Sequence, residues 1–357
     1  MNHLFTVTLI DVPTIHKLHL QCHHDYGNSN IDEWVSIALK RNVTGLSLFF
    51  NVKNTGVSIP GLFDSTTLVD LLLSQHYGLS VPDSICLPKL KRLYLDYVGF
   101  VDGESFERVV DGCPALEELS LDGVEFQEIE VLCISSSAIS SLLKAHIDIG
   151  PSEEQLEEEE EDETSQYGQN VSELVAACSN VGFMYLSNSS VSAISCARFR
   201  VPTFYNLTEL FLGDLNGHGW ALLPHLLESA PNLEILAFME GFSEYTGCYA
   251  KFQNSLQHCV PTCVSSRIRD IFFEEFNGEG DEFDLVEYFL KTGQVMTKME
   301  FSFSSSLPLE KQYSTWTKLL LMQKGTKTCR VVFRKEVTVN VVTFCLLGDE
   351  NESQPRD

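Results

Sequence analysis

Two groups of side chains are of the type that holds metals: Cys259 and Cys263 beside His258, and the run Cys22, His23, His24. A structural zinc site needs four ligands, usually as two closely spaced pairs, and neither group has a second pair at ligand spacing. The cysteines therefore read as core or loop residues, and the adjacent histidines, whose side chains diverge, as loop residues. No metal and no cofactor is expected. Nucleophilic and phosphate chemistry are equally unsupported, since there is no G-x-S-x-G elbow, no P-loop and no G-x-G-x-x-G after a strand. The glycines between Gly213 and Gly219 include no lysine beside them. No catalytic residue is assigned, and the chain reads as a non-enzyme.

The residues best suited to a function are those that could grip another protein: Arg92, Tyr94, Phe183, Tyr185, Phe211 and Phe272. Large rings and arginine carry much of the affinity at protein interfaces. Each of these residues also falls at an outward position between buried apolar ones in a repeated frame. Aromatic residues on strands pack against each other as well, so ring type alone does not separate partner contact from cross-strand packing.

That frame is apolar-x-x-apolar-x-apolar. Clear copies are Ile15/Leu18/Leu20, Leu68/Leu71/Leu73, Leu90/Leu93/Leu95, Leu116/Leu119/Leu121, Leu207/Leu210/Leu212 and Met296/Met299/Phe301, with weaker ones placed at Ile139 and Val181. Most successive copies lie 22 to 28 residues apart, the leucine-rich-repeat range. The last two positions have strand period, so one face is buried and the chain must return to start a parallel neighbour. Some returns read as helices. Ile31, Trp34, Val35, Ala38 and Leu39 have helical spacing after a candidate cap at Asn30, and Phe106, Val109 and Val110 precede the stop at Gly112, Cys113 and Pro114. The unit from Val109 to Leu121 recurs from Leu226 to Phe238 and from Phe289 to Phe301, at offsets of 117 and 180. The fold expected is α/β: a leucine-rich-repeat solenoid, with a curved parallel sheet and helices and loops on its convex side. The residues between the buried positions then line the concave face.

The organisation expected is N-terminal repeats over 1–150, an acidic disordered insertion over 151–168, further repeats over 169–258, a C-terminal module over 259–335 and an extension and tail over 336–357. The formal net charge is -26, and removing the nine acidic residues of 153–163 still leaves -17. Such a surface repels phosphate backbones and anionic lipid heads, so neither nucleic acid nor membrane is an expected partner. Eleven cysteines scattered singly, with no secretory signal, fit a reducing compartment, cytoplasmic or nuclear.

The blocks carry a resemblance. Residues 12–20, the helix at 34–39 and the stretch Cys86-Leu87-Pro88-Lys89-Leu90-Lys91-Arg92-Leu93-Tyr94-Leu95 through Leu116-Glu117-Glu118-Leu119 resemble the repeat region of plant F-box proteins. Val260-Pro261-Thr262-Cys263, Arg269-Asp270-Ile271, Phe276-Asn277-Gly278 and Thr328-Cys329-Arg330-Val331-Val332-Phe333 resemble the FBD module that closes them. The resemblance implies the substrate-recognition region of an SCF-type ubiquitin ligase receptor, with a protein target not identifiable from the sequence. The family's F-box normally precedes the repeats, which here begin almost at Met1, so binding of a Skp-type adaptor is expected only if an F-box is supplied upstream. Two alternatives stand beside this: a free-standing repeat scaffold or competitor without ligase recruitment, and a small-molecule sensor.

Overall fold

The computed structural model describes residues 15–334 apart from 23–27, 56–58, 60, 78, 80, 101–102, 127–138, 151–160, 198–199, 216, 243–247, 257–258 and 324–328. His23, His24, His258, most of the acidic run and the tail at 336–357 thus lie outside the described residues.

Its centre is a 13-stranded parallel sheet. The strands are β1 Lys17–Cys22, β2 Gly45–Thr55, β3 Asp70–Tyr77, β4 Arg92–Asp96, β5 Gly99–Phe100, β6 Glu118–Phe126, β7 Lys144–Ile149, β8 Phe183–Leu186, β9 Glu209–Leu212, β10 Ile235–Phe238, β11 Asp270–Phe276, β12 Lys298–Phe303 and β13 Arg330–Phe333. Each pairs with the strand before it, except that the short β5 pairs with β6 to one side and β6 follows β4 in the sheet. Parallel crossovers are right-handed, so strands added always in one direction return their chain over the same face. The described helices therefore cover one side, and the other, concave in a solenoid, carries none of them.

The frame predicts the register. Leu71, Leu93 and Leu119 stand side by side, as do Leu73, Leu95 and Leu121, and these six are at most 1% exposed. Threonines just before the strands tie each copy to the last. Thr44, Thr208 and Thr297 donate through Oγ1 to the carbonyls of His16, Gly182 and Arg269 at 2.9, 3.1 and 3.3 Å. From β10 onward the second inward position is phenylalanine, and Phe238, Phe273, Phe301 and Phe333 stack in succession at 5.1, 4.9 and 5.6 Å. The segment that resembles the FBD module therefore continues the same sheet.

The helices are α1 Asn28–Lys40, α2 Gly103–Asp111, α3 Glu161–Ala177, α4 Asn188–Cys196, α5 Gly217–Ser229, α6 Cys248–Ser255, α7 Thr262–Ser266, α8 Gly280–Thr292 and α9 Leu309–Gln323. The unit at offsets 117 and 180 is α2–β6, α5–β10 and α8–β12. Gly112, at its turn, is required by packing, because a Cβ there would run into the Ile85 side chain. Gly278 combines a left-handed φ of 73° with close approach to Thr315.

Three expectations are corrected. Helix α1 starts at Asn28, so Asn30 lies inside it and is not its cap. The weak copy at Ile139 is Leu142/Ala145/Ile147, because Leu119 pairs with Ala145 and Leu121 with Ile147. A buried alanine at a leucine position disguised it. The segment 151–168 is not all disordered insertion, since α3 begins at Glu161 and Tyr167 and Gly168 are buried. Tyr167, Val171, Leu174 and Val175 give this helix a buried apolar face, which Cys178 just beyond its end continues.

Candidate partner-binding face

Register fixes which side chains share the open face. Arg92, Glu118, Lys144, Phe183 and Glu209 form one row across β4 to β9, and Tyr94, Ser120, His146, Tyr185 and Phe211 form the next. A third row follows at the strand ends, where Ser74, Asp96, Asp122 and Asp148 are successive neighbours.

Between the first two rows lies a cavity of about 230 Å³ lined by Tyr94, Glu118, Ser120, Lys144, His146, Phe183, Glu209 and Phe211. Three of the six residues singled out in the sequence, Tyr94, Phe183 and Phe211, thus meet in one place. Phe183 and Phe211 pack edge to face at 5.0 Å, and both remain partly exposed. Tyr185 adjoins the cavity through His146, on which it stacks at 4.1 Å with an 11° interplanar angle. Its hydroxyl donates to Glu240 Oε1 at 2.7 Å.

The placement departs from expectation for the two tyrosines. Tyr94 and Tyr185 are only 8% and 9% exposed, because neighbouring side chains close over a ring on the inner side of a curved sheet. Tyr94 forms a wall of the cavity, Tyr185 lies beside it behind His146, and Phe183 and Phe211 are its partly exposed rim. Arg92 faces Asp70 across β3 and β4 with Nε 2.5 Å from Oδ1, an ion pair that lacks hydrogen-bond angles. Phe272 lies apart on β11, under the Lys298 ammonium at 4.5 Å.

Burial shapes the electrostatics. It lowers His146 to about 4, so the imidazole is neutral at pH 7. Burial, then Asp148 and Asp96, pushes Asp122 up to about 6. Burial followed by Glu118 raises the Tyr94 phenol, and burial followed by Glu240 raises Tyr185, so both stay protonated. Of the metal-type cysteines, Cys263 is buried, its Sγ donating to the Leu227 carbonyl at 3.0 Å, while Cys259 is exposed.

Sequence reasoning missed His146 because the Ile139 frame put it out of register. It also missed the aspartate row, although its signal was present: Leu95-Asp96, Leu121-Asp122 and Ile147-Asp148 place an aspartate after the last inward residue of three consecutive strands. A larger cavity of about 550 Å³, lined by Phe303, Leu309, Tyr313, Trp316 and Phe333, borders Arg334, the last described residue. The central cavity, which gathers three of the residues singled out in the sequence, is the stronger candidate site. No helix of the described residues is long and apolar enough to cross a membrane.

Residues 31–160 match the family profile described as FBD-associated F-box protein At5g56370, LRR repeats, and residues 257–301 match the FBD profile. The putative F-box/LRR-repeat protein At5g41840 of Arabidopsis thaliana is 26% identical, over 76% of this chain and 66% of its own length. The Arabidopsis thaliana F-box/LRR-repeat proteins At2g42720 and At4g14096 are each 25% identical, over 88% and 89% of this chain and 81% and 77% of theirs. The chain thus spans slightly under two thirds of the first of these relatives. Repeats followed by a segment matching the FBD profile, on one continuous parallel sheet, make the chain similar to the plant F-box/LRR-repeat proteins.

Proposed function

We propose that the chain is the target-recognition region of an F-box-type ubiquitin ligase receptor, working in the cytoplasm or nucleus, and that it binds a protein through its open face without performing chemistry. The observation that carries this reading is the ring-lined cavity on the helix-free face of a chain similar over most of its length to F-box/LRR-repeat proteins. Partly exposed rings over a buried wall, with polar side chains around them, are the composition of a protein-binding hot spot. An F-box joined ahead of the repeats would supply the contact to a Skp-type adaptor, and through it to a cullin.

Affinity purification of the chain, with and without an F-box fused upstream, tests this by mass spectrometry. A common set of target proteins should appear in both, with the adaptor only in the fused form. The targets should be lost when Phe183 and Phe211 are both changed to alanine while the melting temperature holds. Targets that survive this double change, or that appear only with the F-box, would refute the reading.

A further inference from the structure

We propose that the segment recognised is basic: an arginine or lysine side chain enters the cavity bounded by Tyr94, His146, Phe183 and Phe211, and cationic neighbours along the same segment pair with Asp96, Asp122 and Asp148. This rests on the recognition reading above and names the chemistry of what is recognised.

The aspartate row is the first support. Neighbouring strands lie about 4.8 Å apart, so three carboxylates in register on β4, β6 and β7 repel one another. Ser74 Oγ donates to Asp96 Oδ2 at 2.7 Å, but no lysine or arginine forms an ion pair with any of the three among the described residues. Beyond burial, the groups acting on Asp122 are all carboxylates: Asp148, which also hydrogen-bonds to it, Asp96 and Glu240. An arriving cation relieves this repulsion; an anionic or apolar partner does not.

The cavity is an independent second support. Its size suits one long side chain, ring faces attract a cation, and the rim carries the carboxylates of Glu118 and Glu209 against the single exposed ammonium of Lys144. Neutral His146 adds no opposing charge. The net charge of -26 adds long-range attraction for such a segment.

The test is fluorescence anisotropy on the full chain with short labelled peptides, one carrying arginines spaced by glycine and leucine, the other with each arginine replaced by glutamine. The arginine peptide should bind at least about tenfold more tightly. Asp122→Asn with Asp148→Asn, and separately Phe183→Ala with Phe211→Ala, should each weaken it by about tenfold, whereas Asp83→Asn with Glu310→Gln, exposed carboxylates away from the row, should change it by less than about twofold. Equal losses in the two carboxylate pairs would reduce the effect to diffuse acidity and overturn the proposal, as would failure of the arginine peptide to bind. A random peptide-display selection separates the two readings. Neutral or acidic winners that depend on Phe183 and Phe211 would overturn the basic partner and leave the recognition face standing, while winners indifferent to those rings would overturn both.

Discussion

The centre of the sheet and its C-terminal end are built on one frame but treat their outward charges in opposite ways. At the end, Arg334 donates to Glu300 at 2.6 Å and to Glu274 at 3.1 Å, and Lys298 both bonds Glu300 at 3.1 Å and covers the ring of Phe272. In the centre, Asp96, Asp122 and Asp148 stand in a row without an ion pair among the described residues, beside rings left partly open. The inward positions leave no such choice, since Leu93, Leu95, Leu119 and Leu121 in the centre and Phe238, Phe273 and Phe301 toward the end are all at most 1% exposed. The frame therefore dictates what makes the core and leaves the open face free to vary. Charges matched within the chain close off a surface; charges left unmatched make it available.

The largest effect should come from breaking the shared part of that comparison. Leu119 is 1% exposed and packed on both sides by its register partners Leu93 and Ala145, so Leu119→Ala should cost roughly 2–5 kcal/mol in denaturant unfolding. A cost below about 1 kcal/mol would mean that neighbouring repeats collapse into the space, and that the frame is less rigid than its register implies.

A smaller and signed effect is expected at Asp122, where the charge itself is unfavourable. Its pKa of about 6 lies above the ordinary 3.8, so the folded state holds the proton more tightly. The stability linked to that proton is complete below about pH 4 and is lost as the pH rises through 6. Asp122→Asn should therefore stabilise the chain by about 1 kcal/mol at pH 8, a value discounted for partial exposure, and by almost nothing at pH 4. Urea midpoints at the two pH values check it. An equal gain at both would trace the effect to packing or hydrogen bonding, and the centre would lose its distinction from the end.

The comparison also marks what was legible in the sequence. Leu93, Leu119 and Leu210 could be placed because burial has a period, and the concave set could be listed because strand side chains alternate. Tyr94, Phe183 and Phe211 were singled out as outward rings, but that Phe183 and Phe211 form the rim while Tyr94 forms the wall depends on sheet curvature, which no spacing encodes. His146 was lost to a frame that looked for leucine where the chain has Ala145. Helix α3 is hidden in the sequence because its first residues are acidic, and their charge density masks the helical spacing of Tyr167, Val171 and Leu174. The pairing of Arg334 with Glu300 and Glu274 joins residues 34 and 60 positions apart. Only the assembled sheet reveals it.

The smallest effect should follow from undoing that pairing. The Arg334 side chain is 53% exposed, against 14% for Glu300 and 22% for Glu274. Lys298 still holds Glu300 when the arginine is gone. Exposed pairs contribute little, so Arg334→Gln should lower stability by less than about 1 kcal/mol, and less again in high salt. Its value lies in what it does to the open face. The substitution leaves Glu274 without its ion pair and makes the end more like the centre, yet Phe272 stays under Lys298 and the ring-lined cavity is not reproduced. The arginine peptide should therefore bind Arg334→Gln as it binds the parent chain. If affinity instead rose about tenfold, unmatched carboxylates alone would suffice, and the cavity between Tyr94 and Phe211 would be superfluous.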